Sequence, residues 1–330
     1  MIRVPASGPL AWTVRHLLPP ESAWPSTGEV ILEPLPSSRP VFRFRSPAGE
    51  TQAVGKFFSP GLPGTFLNAG LRQEYDNYFK AAALGLGDGL GLLPRLLGRG
   101  PQVGLGLLLT AIGGPDLDFL LLRACGQGQV DALYRALENL AGLLSFWHLR
   151  PVPASPVIPY PGLGYFDKLR QQLQDLGLLS PEEDAALAEE RWAWEGRFAK
   201  FPDQEVLVHG DATPTNFLFP NGRVVALDLE RLRVGDRLWD LSWLAGELKH
   251  AWGWRTGNLE GGEEAVRRFF AAYLAALPAE GALAARIFGL NPFYMALAEM
   301  RIARNAYLSW DYRRQLLAEA RRCLAAGRRL

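Results

Sequence analysis

The chain has 330 residues, a formal net charge of +1, and 48% hydrophobic residues. Near-neutral charge gives no electrostatic case for nucleic acid or for an acidic partner. Two cysteines, Cys125 and Cys323, are too few and too far apart for a disulfide framework or a zinc site, so a reducing cytoplasm is the default compartment. At this length two compact bodies suit the chain better than one core.

The start, Met1-Ile-Arg-Val-Pro-Ala-Ser-Gly-Pro, lacks the apolar core of a signal peptide, and every apolar run breaks before the length of a membrane span. Three short strands are predicted at Glu29 to Leu35, Val41 to Arg45 and Thr51 to Phe58. They are separated by the turn-like segments Pro36-Ser-Ser-Arg-Pro40 and Ser46-Pro-Ala-Gly-Glu50. The third strand carries Ala53-Val-Gly-Lys56. Only five of the 35 basic residues are lysines (56, 80, 168, 200 and 249), so one inside an apolar strand calls for a specific role.

After a loop from Ser59 to Gly70, Leu71, Tyr75, Tyr78, Phe79 and Ala82 recur at helical spacing over Leu71 to Leu84, with Glu74 and Asp76 as its acidic residues. The Gly/Leu-rich stretch from Leu84 to Leu109 reads as loops and two further strands. A run into Gly113-Gly-Pro115 suggests a hinge near 107–115, dividing the chain into 1–112 and 113–330. Val130 to Leu149 predicts an amphipathic helix, and the five prolines of Pro151 to Pro161 a connector. Ser180-Pro-Glu-Glu183 has the cap, the N1 proline and the N3 glutamate of a helix start, for a helix running toward Lys200.

The most informative segment is Val206-Leu-Val-His-Gly-Asp-Ala-Thr-Pro-Thr-Asn-Phe-Leu-Phe219, followed by the turn Pro220-Asn-Gly222 and the apolar run Val224-Val-Ala-Leu-Asp228. It predicts a strand, a polar loop, a hairpin turn and a second strand ending on a carboxylate. Asp211 and Asn216 have the D-x-x-x-x-N spacing of a kinase catalytic loop, and Asp228 stands where a second metal ligand belongs. Phosphoryl transfer needs hard cations against the phosphate oxygens, and Mg2+ takes carboxylate and amide oxygens. Asp228 and Asn216 offer those groups. Asp211 would accept or orient the proton of an attacking hydroxyl, and Gly210 lets the backbone turn sharply.

The runs H-G-D-A-T-P-T-N-F-L, L-D-L-E (227 to 230) and G-D-R-L-W-D-L-S-W-L (235 to 244) resemble the aminoglycoside phosphotransferase and choline kinase family, relatives of the protein kinases. The resemblance implies an α+β, protein-kinase-like two-lobe fold with a small β-rich N-lobe and a larger, mainly helical C-lobe. It implies ATP and Mg2+ as cofactors, Asp211 as catalytic base, Asn216 and Asp228 as metal ligands, and Asp240 as an anchor for the loop backbone. Lys56 then matches the kinase V-A-I-K lysine that neutralises the phosphates, and Glu74 is its partner on the next helix, with Asp76 the second choice. His209 supports the loop, and Glu230 and Asp236 either assist the metal or brace the loop. Backbone groups at the hinge would receive the adenine.

The first hairpin departs from the protein kinase pattern. Its loop has no G-x-G-x-x-G, so phosphate contacts fall to serine hydroxyls, backbone amides or Arg39. A Walker A loop is absent as well. Only eleven residues separate Asp228 from Asp240, too few for the activation segment that positions a peptide. The expected acceptor is a hydroxyl of a small molecule: an amino sugar, a sugar or an amino alcohol. Its site would be built after Asp240, where Trp243, Trp252, Trp254, Phe293, Tyr294, Tyr307, Trp310 and Tyr312 are either core or cation-π and stacking surfaces. Glu247 and Glu299 are either amine ligands or solvated helix residues. His16, His148 and His250 lack metal-ligand spacing, and the arginine-rich tail reads as a solvated helix end. The alternative class is a nucleotide-binding, kinase-like module without significant turnover, against which the intact Lys56, Asp211, Asn216 and Asp228 argue. The sequence specifies no oligomeric state.

Overall fold

The computed structural model describes residues 1–20, 22, 24–37, 39–46, 51–58, 66–87, 91–278 and 281–329. The chain divides into two compact units, one of Met1–Gly114 with Val225–Leu232, the other of Pro115–Val224 with Arg233–Leu330.

The first unit is built on a six-stranded antiparallel sheet. In chain order its strands are β1 (Ile2–Pro5), β2 (Glu29–Pro34), β3 (Val41–Arg45), β4 (Thr51–Phe57), β5 (Leu96–Gly100) and β6 (Leu105–Thr110). Across the sheet they run β1-β2-β3-β4-β6-β5. The pleat sends alternate side chains to one face, and there Val30, Leu32, Phe44, Ala53, Leu105 and Leu108 pack with Ala11 and Val14 of helix α1 (Pro9–Leu17) into the unit's core. The three predicted strands are present within one residue of their expected ends, as are two strands in the Gly/Leu-rich stretch.

Two elements were not expected. β1 is an edge strand whose side chains are mostly exposed, so it has no apolar alternation to betray it. α1 is short and follows a Gly-Pro start signal. Helix α2 (Phe66–Ala81) begins five residues before the predicted Leu71, taking in Asn68 and Gly70 against their turn preference. The earlier part of the predicted loop, 59–65, and the turn residues 38 and 47–50 lie outside the described residues.

The second unit is mainly helical. It contains α3 (Leu117–Gln127), α4 (Val130–His148), α5 (Tyr160–Asp175), α6 (Pro181–Phe198), α7 (Leu238–Thr256), α8 (Glu263–Ala275), α9 (Gly281–Ala303) and α10 (Trp310–Arg329). The predicted start of α6 is a full capping box: Ser180 accepts from the Glu183 amide while Glu183 accepts from the Ser180 amide. Short strands frame the motif segment. β7 (Val206–Val208) pairs antiparallel with β10 (Arg233–Gly235), and β8 (Phe217–Leu218) follows the polar loop. The turn after it has Asn221 and Gly222 both left-handed, at φ 51° and 79°, as tight hairpin turns require. The next strand, β9 (Val225–Ala226), stops short of Asp228, so the carboxylate stands just past the strand rather than on its last residue. This is an antiparallel sheet unit followed by a helical one, the α+β kinase-like architecture. Among the described residues no helix is long and apolar enough to cross a membrane.

Candidate active site

In the first unit β4 and α2 bring two predicted residues together. Lys56 sits in β4, in register with Val41 on β3 and Leu107 on β6. Glu74 is completely buried on α2. The Lys56 ammonium donates to both Glu74 oxygens, at 2.7 and 2.8 Å, and to Asp228 Oδ1 at 3.3 Å. Asp76 is exposed on the same helix and takes no part.

Burial pulls the Lys56 ammonium down, but Glu74 and Asp228 more than offset it and hold the charged form above its ordinary value. At Glu74 burial wins over the attraction of Lys56, and the carboxyl is pushed up to about 7. Lys56 therefore stays charged, with Glu74 and Asp228 both facing it.

Asp228 is left-handed, at φ 59° and ψ 69°. Asp tolerates this region better than most residues, and the conformation turns the chain from β9 into the one-turn helix Leu229–Arg231. Asn77, one turn after Glu74 on α2, secures that turn by donating to Leu229 O at 2.6 Å. Glu230, next in the turn, pairs with Arg39 of the β2–β3 connection. Neither bond is legible in the sequence, where the one signal is an asparagine three residues after Glu74 on the same helix.

In the second unit the loop after β7 holds Asp211 and Asn216. Gly210 is left-handed (φ 79°), which only glycine adopts freely. The chain then closes through Thr213 N and Asn216 Nδ2, which donate to Asp211 O at 2.8 and 2.9 Å. With its nitrogen so engaged, the Asn216 amide presents its oxygen as the free end. Asp211 Oδ1 is buried and has no hydrogen-bond partner among the described residues.

The loop backbone is fastened from α7. Asp240, fully buried, accepts from His209 N at 2.7 Å and Gly210 N at 2.8 Å. His148 of α4 lies 3.2 Å from Asp240 through Nε2 and 2.7 Å from the Tyr273 hydroxyl through Nδ1. Burial holds His148 below its ordinary pKa, so it is neutral; its partners assign Nε2 as the donor to Asp240 and Nδ1 as the acceptor from Tyr273. Burial alone would raise the Asp240 carboxyl, but the His148 hydrogen bond, nearby His209 and the Gly210 amide more than offset it and keep it low. His209 itself accepts from Asp211 N at 3.3 Å and stacks on Trp147, a supporting role.

Asp236 is a brace. It binds Arg286 at 2.7 and 3.0 Å, the Tyr294 hydroxyl at 2.8 Å and Leu238 N at 3.0 Å. Of the aromatic residues after Asp240, Trp243, Phe293, Tyr294 and Tyr312 are core, while Trp254, Tyr307 and Trp310 are exposed. Glu299 is no solvated helix residue: it is wholly buried, both oxygens lack a hydrogen-bond partner among the described residues, and burial pushes its carboxyl far above the usual range. Glu247 pairs with Arg301 at 2.5 Å.

A cavity of about 210 Å³ opens against the Asp211 loop, lined by Thr213, Thr215, Glu247, His250, Trp254 and Tyr307 among others. Burial, then nearby Arg255, lowers His250 to about 4, so it enters the cavity uncharged.

A lysine gripped by a helix glutamate and a carboxylate, and an aspartate loop whose backbone is fastened by Asp240, are the groups of a phosphotransferase. The sequence model of the phosphotransferase enzyme family matches residues 36–285, and the chain belongs to that family. Among solved structures it is similar to a choline/ethanolamine kinase family protein from Mesorhizobium loti, with TM-score 0.59, 16% identity, and coverage of 98% of this chain and 97% of that one. It is also similar to the streptomycin-ATP-APH(2")-IIa ternary complex (TM-score 0.58, 13% identity, 99% and 97% covered). A third is the choline kinase LicA from Streptococcus pneumoniae (TM-score 0.53, 18% identity, 90% and 94% covered). At these identities the likeness is one of fold. No curated protein sequence matches the chain.

Proposed function

We propose that the protein is an ATP- and Mg2+-dependent phosphotransferase that moves the γ-phosphoryl group to a hydroxyl of a small molecule. The observation that carries this reading is the Lys56 ammonium, held charged between Glu74 and Asp228. In this reading residues 1–112, joined by the returning segment Val225–Leu232, form the nucleotide-binding lobe, with the adenine at the backbone near 107–115, and the rest of 113–330 binds the acceptor.

Lys56 neutralises the phosphates, and Glu74 fixes its direction. Asn216 and Asp228 are the residues for magnesium, which supplies positive charge against the phosphate oxygens when bound. Each group suits that ion by its own chemistry: a side-chain amide whose nitrogen is already committed, and a carboxylate. Asp211 accepts the acceptor's hydroxyl proton, and the unpartnered Oδ1 is the atom suited to it. The cavity beside Thr213 and Thr215 is the acceptor site, with Trp254 and Tyr307 offering faces to a sugar ring or an amine. Two unpaired cysteines, Cys125 and Cys323, suit a cytoplasmic location.

The test is ADP release with Mg-ATP across aminoglycosides, sugars and amino alcohols, run beside Asp211→Asn. Turnover with one acceptor class, reduced about 10²- to 10⁴-fold in the variant, is expected. Tight Mg-ATP binding with no turnover on any acceptor would favour the binding-module alternative.

A further inference from the structure

The turn between β2 and β3 has no glycine-rich loop, yet it delivers a cation. Arg39 stands on this turn, where its amide donates to Ser37 Oγ at 3.2 Å. A turn arginine is ordinarily solvated, but this side chain is only 10% exposed, because its guanidinium pairs with Glu230, itself 16% exposed. Room for the pair is made by Gly70 on α2: a Cβ there would lie 2.7 Å from Glu230 Oε2 and 2.8 Å from Arg39 Nη2. Any larger residue would force the pair to shift.

Arg39 also belongs to the Lys56 cluster. Its charge acts on Glu74, the buried carboxylate that grips Lys56, and its partner Glu230 lies two residues from Asp228, the other carboxylate on Lys56. Arg39 and Lys56 thus share one region of the first unit with the carboxylates of Glu74, Asp228 and Glu230. Arginine is the side chain best matched to phosphate, through paired N–H donors. Glu230 is not stranded if Arg39 leaves it, because Arg231 lies 3.6 Å away on its other oxygen.

We propose that Arg39 is a second phosphate-binding residue of the nucleotide site, parked on Glu230 until the polyphosphate of a nucleoside triphosphate draws it away. The assignment rests on the nucleotide-binding reading given above and adds to it the source of the phosphate contact that the glycine-free hairpin leaves open. The competing explanation is a fastening that only ties the hairpin to the Asp228 turn. The two differ in what they do to ligands with and without phosphates.

The experiment is titration calorimetry of the full-length protein with Mg-ATP and with adenosine, on wild type, Arg39→Ala, Arg39→Lys and Lys56→Ala. Arg39→Ala is expected to weaken Mg-ATP about tenfold and leave adenosine unchanged, and Arg39→Lys to recover part of the loss. Equal weakening of both ligands, or an unchanged Mg-ATP affinity, overturns the assignment. If Arg39→Ala fails to fold, Arg39→Gln carries the same comparison. Loss of Mg-ATP affinity in Lys56→Ala with none in Arg39→Ala sinks this assignment alone. A wild-type protein with no affinity for Mg-ATP sinks the nucleotide reading together with it.

Discussion

Glu74 shows how one residue can be needed and costly at once. Its carboxylate orients Lys56 at 2.7 and 2.8 Å, yet it is wholly buried. With its carboxyl at about 7 instead of the ordinary 4.5, the folded protein holds the Glu74 proton more tightly than the unfolded chain does. The stability tied to that proton is fully present below about 4.5 and is lost as pH rises through about 7. Glu74→Gln copies the protonated form and removes this dependence. The thermal midpoint of wild type relative to Glu74→Gln should therefore fall between pH 5 and pH 8, by the equivalent of roughly 2 kcal/mol. Parallel midpoints across that range would show that Glu74 does not titrate there. The same substitution weakens the hold on Lys56, so it should lower activity above about pH 7, where wild-type Glu74 is ionised, and less below it.

The Asp211 loop is an element whose shape is set from outside itself. Three donors converge on Asp240: two backbone amides of the loop and the His148 ring, the last positioned by Tyr273. Asp240→Ala leaves the His209 and Gly210 amides buried without an acceptor, at about 1–3 kcal/mol each. A destabilisation of about 2–5 kcal/mol in thermal or urea unfolding is expected, together with loss of turnover, whereas Asp211→Asn should keep the wild-type midpoint. Equal midpoints for Asp240→Ala and wild type would remove Asp240 from this role.

Legibility in the sequence divides along the same line. Asp211, Asn216 and Asp228 fall within one short segment, so residue type and spacing reveal them together. Lys56 stands out because lysine is scarce and its surroundings are apolar, and Glu74 because helical spacing puts it on a definite face. Arg39 with Glu230 and Asn77 with Leu229 are 191 and 152 residues apart, and no local pattern announces such a pairing. β1 escaped notice for another reason: an edge strand exposed on most of its residues need not alternate. The aromatic residues after Asp240 kept two readings open because type alone does not separate Phe293, in the core, from Trp254, half exposed.

At the scale of the whole molecule, the first unit is not completed by the first 114 residues. Eight residues from Val225 to Leu232 belong to it, and they bring Asp228 to Lys56 and the Leu229 carbonyl to Asn77. Leu229 is itself fully buried. A fragment of residues 1–114 lacks these partners and leaves the Asn77 amide and the Glu74–Lys56 pair short of theirs. It should melt without a cooperative transition and be cut rapidly by protease, while the full chain resists. A sharp, protease-resistant fragment would show that the returning segment is dispensable.

Synthesis inherits this arrangement. Residues 115–224 must be made between the two parts of the unit, and at about 5–20 residues per second that is a wait on the order of 5–20 s. Throughout it the amino-terminal unit has its six strands but lacks the returning segment that partners Lys56 and Asn77, while the helices that follow are still being added. The nascent chain is in this respect a client for whatever shields an unfinished folding unit, and the interval sets how long that protection must last.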